Sequence, residues 1–121
     1  MTRPITAGID GTEESLAALD WAAREAVRRD VALRVVHAWR FQSYEGIDAG
    51  DRDTQRGWAR DAVGEAVRTV TGRHTGLDVS TEVVEGGSVD VLVAAAAEAE
   101  LLVLGSRGHG PVVGFLLGSV G

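Results

Sequence analysis

An open parallel α/β sheet with helices on both faces is the fold class this sequence predicts. Three observations carry that prediction. Short apolar runs alternate with amphipathic stretches along the 121 residues, in the order strand, helix, strand, helix, strand, helix, strand. Residues 101–104, Leu-Leu-Val-Leu, are apolar throughout, as in a strand covered on both faces. That run passes directly into a loop holding six of the chain's 16 glycines, Gly105 to Gly121.

The elements follow in order. Residues 5–9 form a short apolar strand, and Asp10-Gly11-Thr12 follows as a turn with a helix cap. Either Asp10 or Thr12 can accept from the first free N–H groups, and Glu13 and Glu14 suit the positive end of the helix dipole. The helix runs to about Arg29, with Leu16, Leu19, Ala23, Ala26 and Val27 expected on its buried face. Residues 31–39 are rich in β-branched side chains and form the second strand. Residues 40–53 form a long polar loop of the kind that often carries function. A second helix is expected over residues 54–70, burying Trp58, Ala62, Val63, Ala66 and Val70. Residues 77–84 alternate, which places the third strand toward a sheet edge. Ser88 is the expected cap of an alanine-rich third helix ending near Glu98. Residues 101–104 are the fourth strand, and Gly118-Ser119 is suited to opening a further helix.

Composition narrows the function. Net charge is −6, which argues against a nucleic-acid surface. No apolar run approaches the roughly 20 residues that span a bilayer, and the N-terminal residues lack a signal-peptide core, so a cytoplasmic location is expected. There is no cysteine, so thiolate metal sites and disulfides are excluded. All 12 basic residues are arginine, so a P-loop lysine is excluded as well. A glycine-rich turn between a buried strand and a helix start binds phosphate through backbone N–H groups. The loop after residue 104 reads as such a cradle, with a plain structural connector as the alternative. Asp10 reads as a ligand group or as a helix cap, and Arg107 as a phosphate contact or a solvated loop residue. His37 reads as a strand-end histidine with a hydrogen-bonded ring. Trp39 reads as a core residue, with bordering a base as the lesser alternative.

Over nearly its whole length the chain resembles the universal stress protein family. The resemblance lies in Gly8-Ile-Asp-Gly-Thr12, Leu16-Ala-Ala-Leu-Asp-Trp-Ala-Ala23, Leu33-Arg-Val-Val-His-Ala38 and Leu102-Val-Leu-Gly-Ser-Arg-Gly-His-Gly110. The spacing Gly105-x2-Gly108-x9-Gly118-Ser119 is similar to the pattern of that family's ATP-binding branch. The resemblance implies a single domain over residues 1–121 with strand order 3-2-1-4-5. It also implies ATP at the carboxyl ends of strands one and four, with magnesium reached through the phosphates. By likeness, Ile9, Asp10 and Gly11 would lie beside the base and ribose, and Ala38 would offer backbone to the adenine. Leu104, Gly105, Arg107 and Gly108 would line the phosphates, and Gly118, Ser119 and Val120 would close over them. Family members continue with a helix and a fifth strand. This chain is therefore expected to show order 3-2-1-4 with the fifth strand missing and the fourth left as an open edge. A homodimer or tandem-domain partner is expected, and the chain could be a piece of a tandem protein. No general base stands out in the loop, so a regulatory ATP-binding module is expected, with at most slow hydrolysis. An ATP-independent scaffold is the alternative.

Overall fold

The structure, a computed structural model, describes residues 2–42, 50–105 and 115–118, the last four by their backbone. Its elements are β1 (Ile5–Gly8), α1 (Glu13–Arg29), β2 (Leu33–Trp39), α2 (Arg52–Arg73), β3 (Val79–Glu85), α3 (Ser88–Ala97), β4 (Leu101–Leu104) and β5 (Phe115–Gly118). The sheet order is β3-β2-β1-β4-β5. β1 pairs in parallel with β2 on one side and β4 on the other, with Ile5 opposite both Leu33 and Leu101. β2 pairs in parallel with β3, which is the outer strand as its alternation predicts.

The order 3-2-1-4 and the helices on both faces are therefore present, but the expected missing fifth strand is not. Phe115–Gly118 pairs antiparallel with β4, and Leu104 faces Phe115 while Leu101 faces Gly118. The edge of β4 is covered rather than open. Gly118 closes a strand instead of starting a helix. The physical reason is that an apolar strand presents a row of unpaired backbone groups, and Phe-Leu-Leu-Gly supplies an apolar segment to satisfy them.

Side-chain alternation divides the sheet. Ile5, Ala7, Leu33, Val35 and Val103 join the core beneath α1 and α2. Gly8 faces the other way, and a methyl carbon built there would meet Leu92 of α3 and Leu104. α1 and α2 share one face because both crossovers move outward in the same direction from β1. The chain then returns past β1, and a right-handed connection carries α3 to the opposite face.

The helices are rotated relative to the periodicity reading. α1 buries Ser15, Ala18, Leu19, Ala22, Ala23 and Ala26, while Leu16 and Val27 are exposed. α2 begins two residues earlier than expected, is capped by Asp51, and buries Gln55, Ala59, Val63, Ala66 and Val70. Trp58, expected inside, is 58% exposed. Small alanines occupy the interface because they let helix and sheet approach closely, and the bulkier residues sit at the margins. α3 is capped by the Gly87 position with no side-chain bond, and Ser88 is its first residue.

Two features generate stability predictions. Thr6 is fully buried and its hydroxyl has no hydrogen-bond partner. Replacing it with valine keeps the shape and removes a desolvated polar group, so Thr6→Val is expected to stabilise by about 1 kcal/mol. Gly105, at the exit of β4, lies against the first turn of α1. A side-chain carbon there would stand 2.5–2.6 Å from the Glu14 carbonyl and the Ser15 nitrogen. Because those are backbone atoms, Gly105→Ala is expected to destabilise by about 1–3 kcal/mol. Urea midpoints of the two variants against the parent check both.

Candidate functional site

At the carboxyl edge of the sheet, the exits of β1 and β2 and the first half of α2 enclose a cavity of about 450 Å³. Ile9, Asp10 and Gly11 line it from β1, His37, Trp39, Arg40 and Gln42 from β2 and its exit, and Gln55, Trp58 and Val63 from α2. The size suits a small molecule, and the walls are chiefly apolar with a few polar groups among them. A larger groove of about 710 Å³ runs between α1 and α2. Three of its charged groups already pair: Asp20 is 3.3 Å from both Arg24 and Arg73, and it also lies 3.4 Å from His74. The smaller cavity is the better candidate, because it lies beside β1, where the strand order reverses.

The turn after β1 is built by local polar bonds. The Asp10 carboxylate accepts from the Thr12 N–H at 3.0 Å and from the Thr12 hydroxyl at 2.6 Å. The Thr12 hydroxyl accepts from the Ser15 N–H at 3.2 Å, which caps α1. The Asp10 N–H donates to the Ser15 hydroxyl at 3.3 Å. Gly11 sits at φ +86°, in the left-handed region where a side chain would be strained. Asp10 thus holds the turn by bonding Thr12, the residue that caps α1, and it does so at the cavity wall.

At the end of β2, the His37 ring meets the backbone of β1. Its Nδ1 lies 2.7 Å from the Ile9 carbonyl oxygen. A carbonyl only accepts, so Nδ1 carries the proton. The Ile9 N–H in turn donates to the Val36 carbonyl at 2.9 Å, which carries the β1–β2 ladder one residue beyond the strand.

The opposite wall is held by the start of α2. Asp51 accepts from the Thr54 N–H at 2.8 Å, and that bond holds its carboxyl below the usual carboxylate range. Gln55 is buried and bridges the two sides of the preceding loop. Its amide donates to the Gln42 carbonyl at 2.6 Å and the Gly50 carbonyl at 3.3 Å, and its oxygen accepts from the Gln42 N–H at 2.7 Å. Trp58 follows one turn later, at the mouth of the cavity. The Arg56 guanidinium lies 5.8 Å from the Trp39 ring centre, and Glu85 of β3 pairs with Arg52 and Arg56. Arg40 lines the cavity and has no carboxylate partner among the described residues.

The residues singled out in the sequence are therefore divided. Ile9, Asp10 and Gly11 lie together at the cavity. Ala38 lies between two lining residues, in register with Val84 of β3. Leu104 ends β4 opposite Gly8, and Gly105 is wedged against α1. Gly118, paired with Leu101, lies at the other end of β4, about 13 Å of strand away from Gly105. Arg107, Gly108, Ser119 and Val120 lie outside the described residues. The sequence reading did not assign His37, Arg40, Gln55 or Trp58 to the site. Their one shared signal is position, at the exit of the second strand and within the first turns of the helix that follows it.

No group of three His, Asp or Glu side chains that could hold a metal occurs among the described residues, and no helix among them is long and apolar enough to cross a membrane.

Comparison with known proteins agrees with this architecture. A universal stress protein of Mycobacterium tuberculosis strain ATCC 25618 / H37Rv is 33% identical over 118 residues, covering 98% of this chain and 40% of the relative. One from Mycobacterium bovis is 36% identical over 124 residues, covering 96% of this chain and 42% of its own. The chain thus spans about 40% of the length of the curated relatives it matches. Among solved structures, a universal stress protein in complex with cAMP is 28% identical with a TM-score of 0.66, covering 83% of this chain and 73% of that one. A family member from Burkholderia pseudomallei is 26% identical with a TM-score of 0.69, covering 87% and 82%. The family model described as the universal stress protein family matches residues 1–121, and the chain belongs to that family.

Proposed function

We propose that the chain binds an adenine nucleotide, ATP foremost, in the cavity at the carboxyl ends of β1 and β2 beside the switch point, and works as a nucleotide-dependent regulatory module in the stress response. The observation that carries this reading is the cavity itself. It is sized for a purine nucleoside and walled by Ile9, Trp39 and Trp58, with hydrogen-bonding groups at Asp10, His37 and Gln55. The solved relative in complex with cAMP supports a nucleotide ligand. The spacing of Gly105, Gly108 and Gly118-Ser119, with Arg107 within it, supports a triphosphate, with magnesium carried by the phosphates. Arg40 adds a cation on the cavity side. A homodimer or a second domain of the same protein is the proposed reader of the occupied state.

A specific observation favours a second reading, the ATP-independent interaction module. Asp10 and Gly105 each have a sufficient structural role, in the turn before α1 and in the packing of its first turn.

Isothermal titration with magnesium-ATP separates the two. Saturable one-site binding is expected. Trp58→Ala is expected to weaken it by about 1–2 kcal/mol, roughly tenfold, through loss of base stacking. Absence of binding at millimolar ATP by the folded protein leaves the scaffold reading.

A further inference from the structure

We propose that the groove between α1 and α2 is an interface for a second copy of this chain, docked about a two-fold axis that passes beside Thr69. The inference stands apart from the nucleotide reading and uses a different face of the molecule. The groove, of about 710 Å³, lies on the helical layer, away from the two edge strands β3 and β5. Its floor is apolar, with Leu19, Ala66 and Val70 buried along it. Leu16 lines the same groove with 41% of its surface exposed. Apolar surface left to water between two helices gains free energy when another element covers it.

The arrangement of charge identifies the cover. Four charged side chains line the groove, Asp20, Arg24, Glu65 and Arg73. Arg24 and Arg73 share the single Asp20 carboxylate, with His74 alongside, which leaves a cation in excess at that end. Toward the other end, the Glu65 carboxylate has no partner among the described residues. The lining is therefore balanced in sum and polarised along its length. A partner of uniform charge would suit one end and be repelled at the other. A second copy turned through a two-fold suits both, because its acidic end lies on the basic end of the first. The spacing fits this symmetry. Glu65 and Arg73 stand four residues before and after Thr69, and all three line the groove from α2. They form one i±4 ridge spanning about 12 Å, the kind of ridge that interdigitates with its own copy. Centred on Thr69, antiparallel packing of that ridge sets Glu65 of each copy against Arg73 of the other. Asp61 and Arg68, also exposed on α2, do not line the groove.

The test is sedimentation velocity of the full chain over the micromolar to high-micromolar range, with circular dichroism to show that each variant is folded. The parent is expected to self-associate, and molar salt is expected to weaken that association by screening the paired charges. Glu65→Arg alone, or Arg73→Glu alone, sets like charges across both symmetry-related contacts. Each is expected to weaken association by about tenfold. An equimolar mixture of the two variants restores opposite charges at both contacts, and parental association is expected to return. A merely structural effect of either substitution would not be relieved by mixing. Thr69→Arg provides a further check at an exposed helix position, since the axis brings the two introduced groups together and association is expected to be lost. A parent that stays monomeric throughout the range overturns the proposal. Association that none of the three substitutions changes, as in pairing through a sheet edge, overturns it too. So does a mixture that associates no better than the separate variants.

Discussion

The structure depends on β1 being paired on both edges and covered on both faces. Ile5, Thr6 and Ala7 have no exposed surface, and the strand they form pairs in parallel with β2 on one edge and β4 on the other. A strand in that position has to be short and made of small residues at its exit, or the helices above and below could not close on it. Ala7 and Gly8 meet that condition, with α1 and α2 over one face and Leu92 of α3 near Gly8 on the other. The sole polar side chain sealed inside the strand, Thr6, is the visible cost of the arrangement. Because the crossovers from β1 and back toward it pass over opposite faces, the helices diverge at its carboxyl end. The crevice is a consequence of topology before any side chain is specified.

Next to that crevice, the cavity at the exits of β1 and β2 takes its polar character from the way backbone groups there are satisfied. Parallel strands end with carbonyls and N–H groups that the ladder no longer pairs. Here Ile9 binds Val36 with its N–H and His37 with its carbonyl, while Asp10 and Thr12 turn the chain into α1. Each of these bonds can be explained by structure alone. Each also orients a group on a cavity wall, so the structural and functional accounts of Asp10 and His37 are not rivals. A carboxylate that caps a turn is held in place, and an imidazole fixed by a carbonyl has a defined donor and acceptor side.

The parallel sheet with helices on both faces was legible from the alternating element types, whereas its strand order followed from the family resemblance. The edge position of β3 was legible from the alternation of residues 77–84. Element interiors were less so. In α1 and α2 the apolar stripe drawn from periodicity chose Leu16, Val27 and Trp58, whereas the buried seam is mostly alanine. Hydrophobicity ranks leucine and tryptophan first, but close helix–sheet contact selects by size. Gln55 shows the same limit from the polar side, since its amide bonds carbonyls at Gln42 and Gly50 that lie far from it in the local pattern a periodicity reading uses. Asp10 was visible because its turn is local. The cavity's far wall was not, since Trp58 lines it from α2 and Ile9 from the exit of β1.

The glycine motif demands the most careful physical reading, because two requirements act on the same few residues. An apolar β4 flanked on one side by β1 needs its other edge covered, and Phe115–Gly118 covers it. A phosphate cradle needs the backbone N–H of Gly118 turned toward an anion near Gly105. In an antiparallel pair, Gly118 stands opposite Leu101, at the end of β4 farthest from Gly105. One backbone segment cannot serve both ends of a four-residue strand at once. Edge protection therefore competes with phosphate closure, whereas the cavity wall formed by β1, β2 and α2 is independent of either. In the proposed function, recognition of the base and enclosure of the phosphates are thus separable, resting on different stretches of the chain.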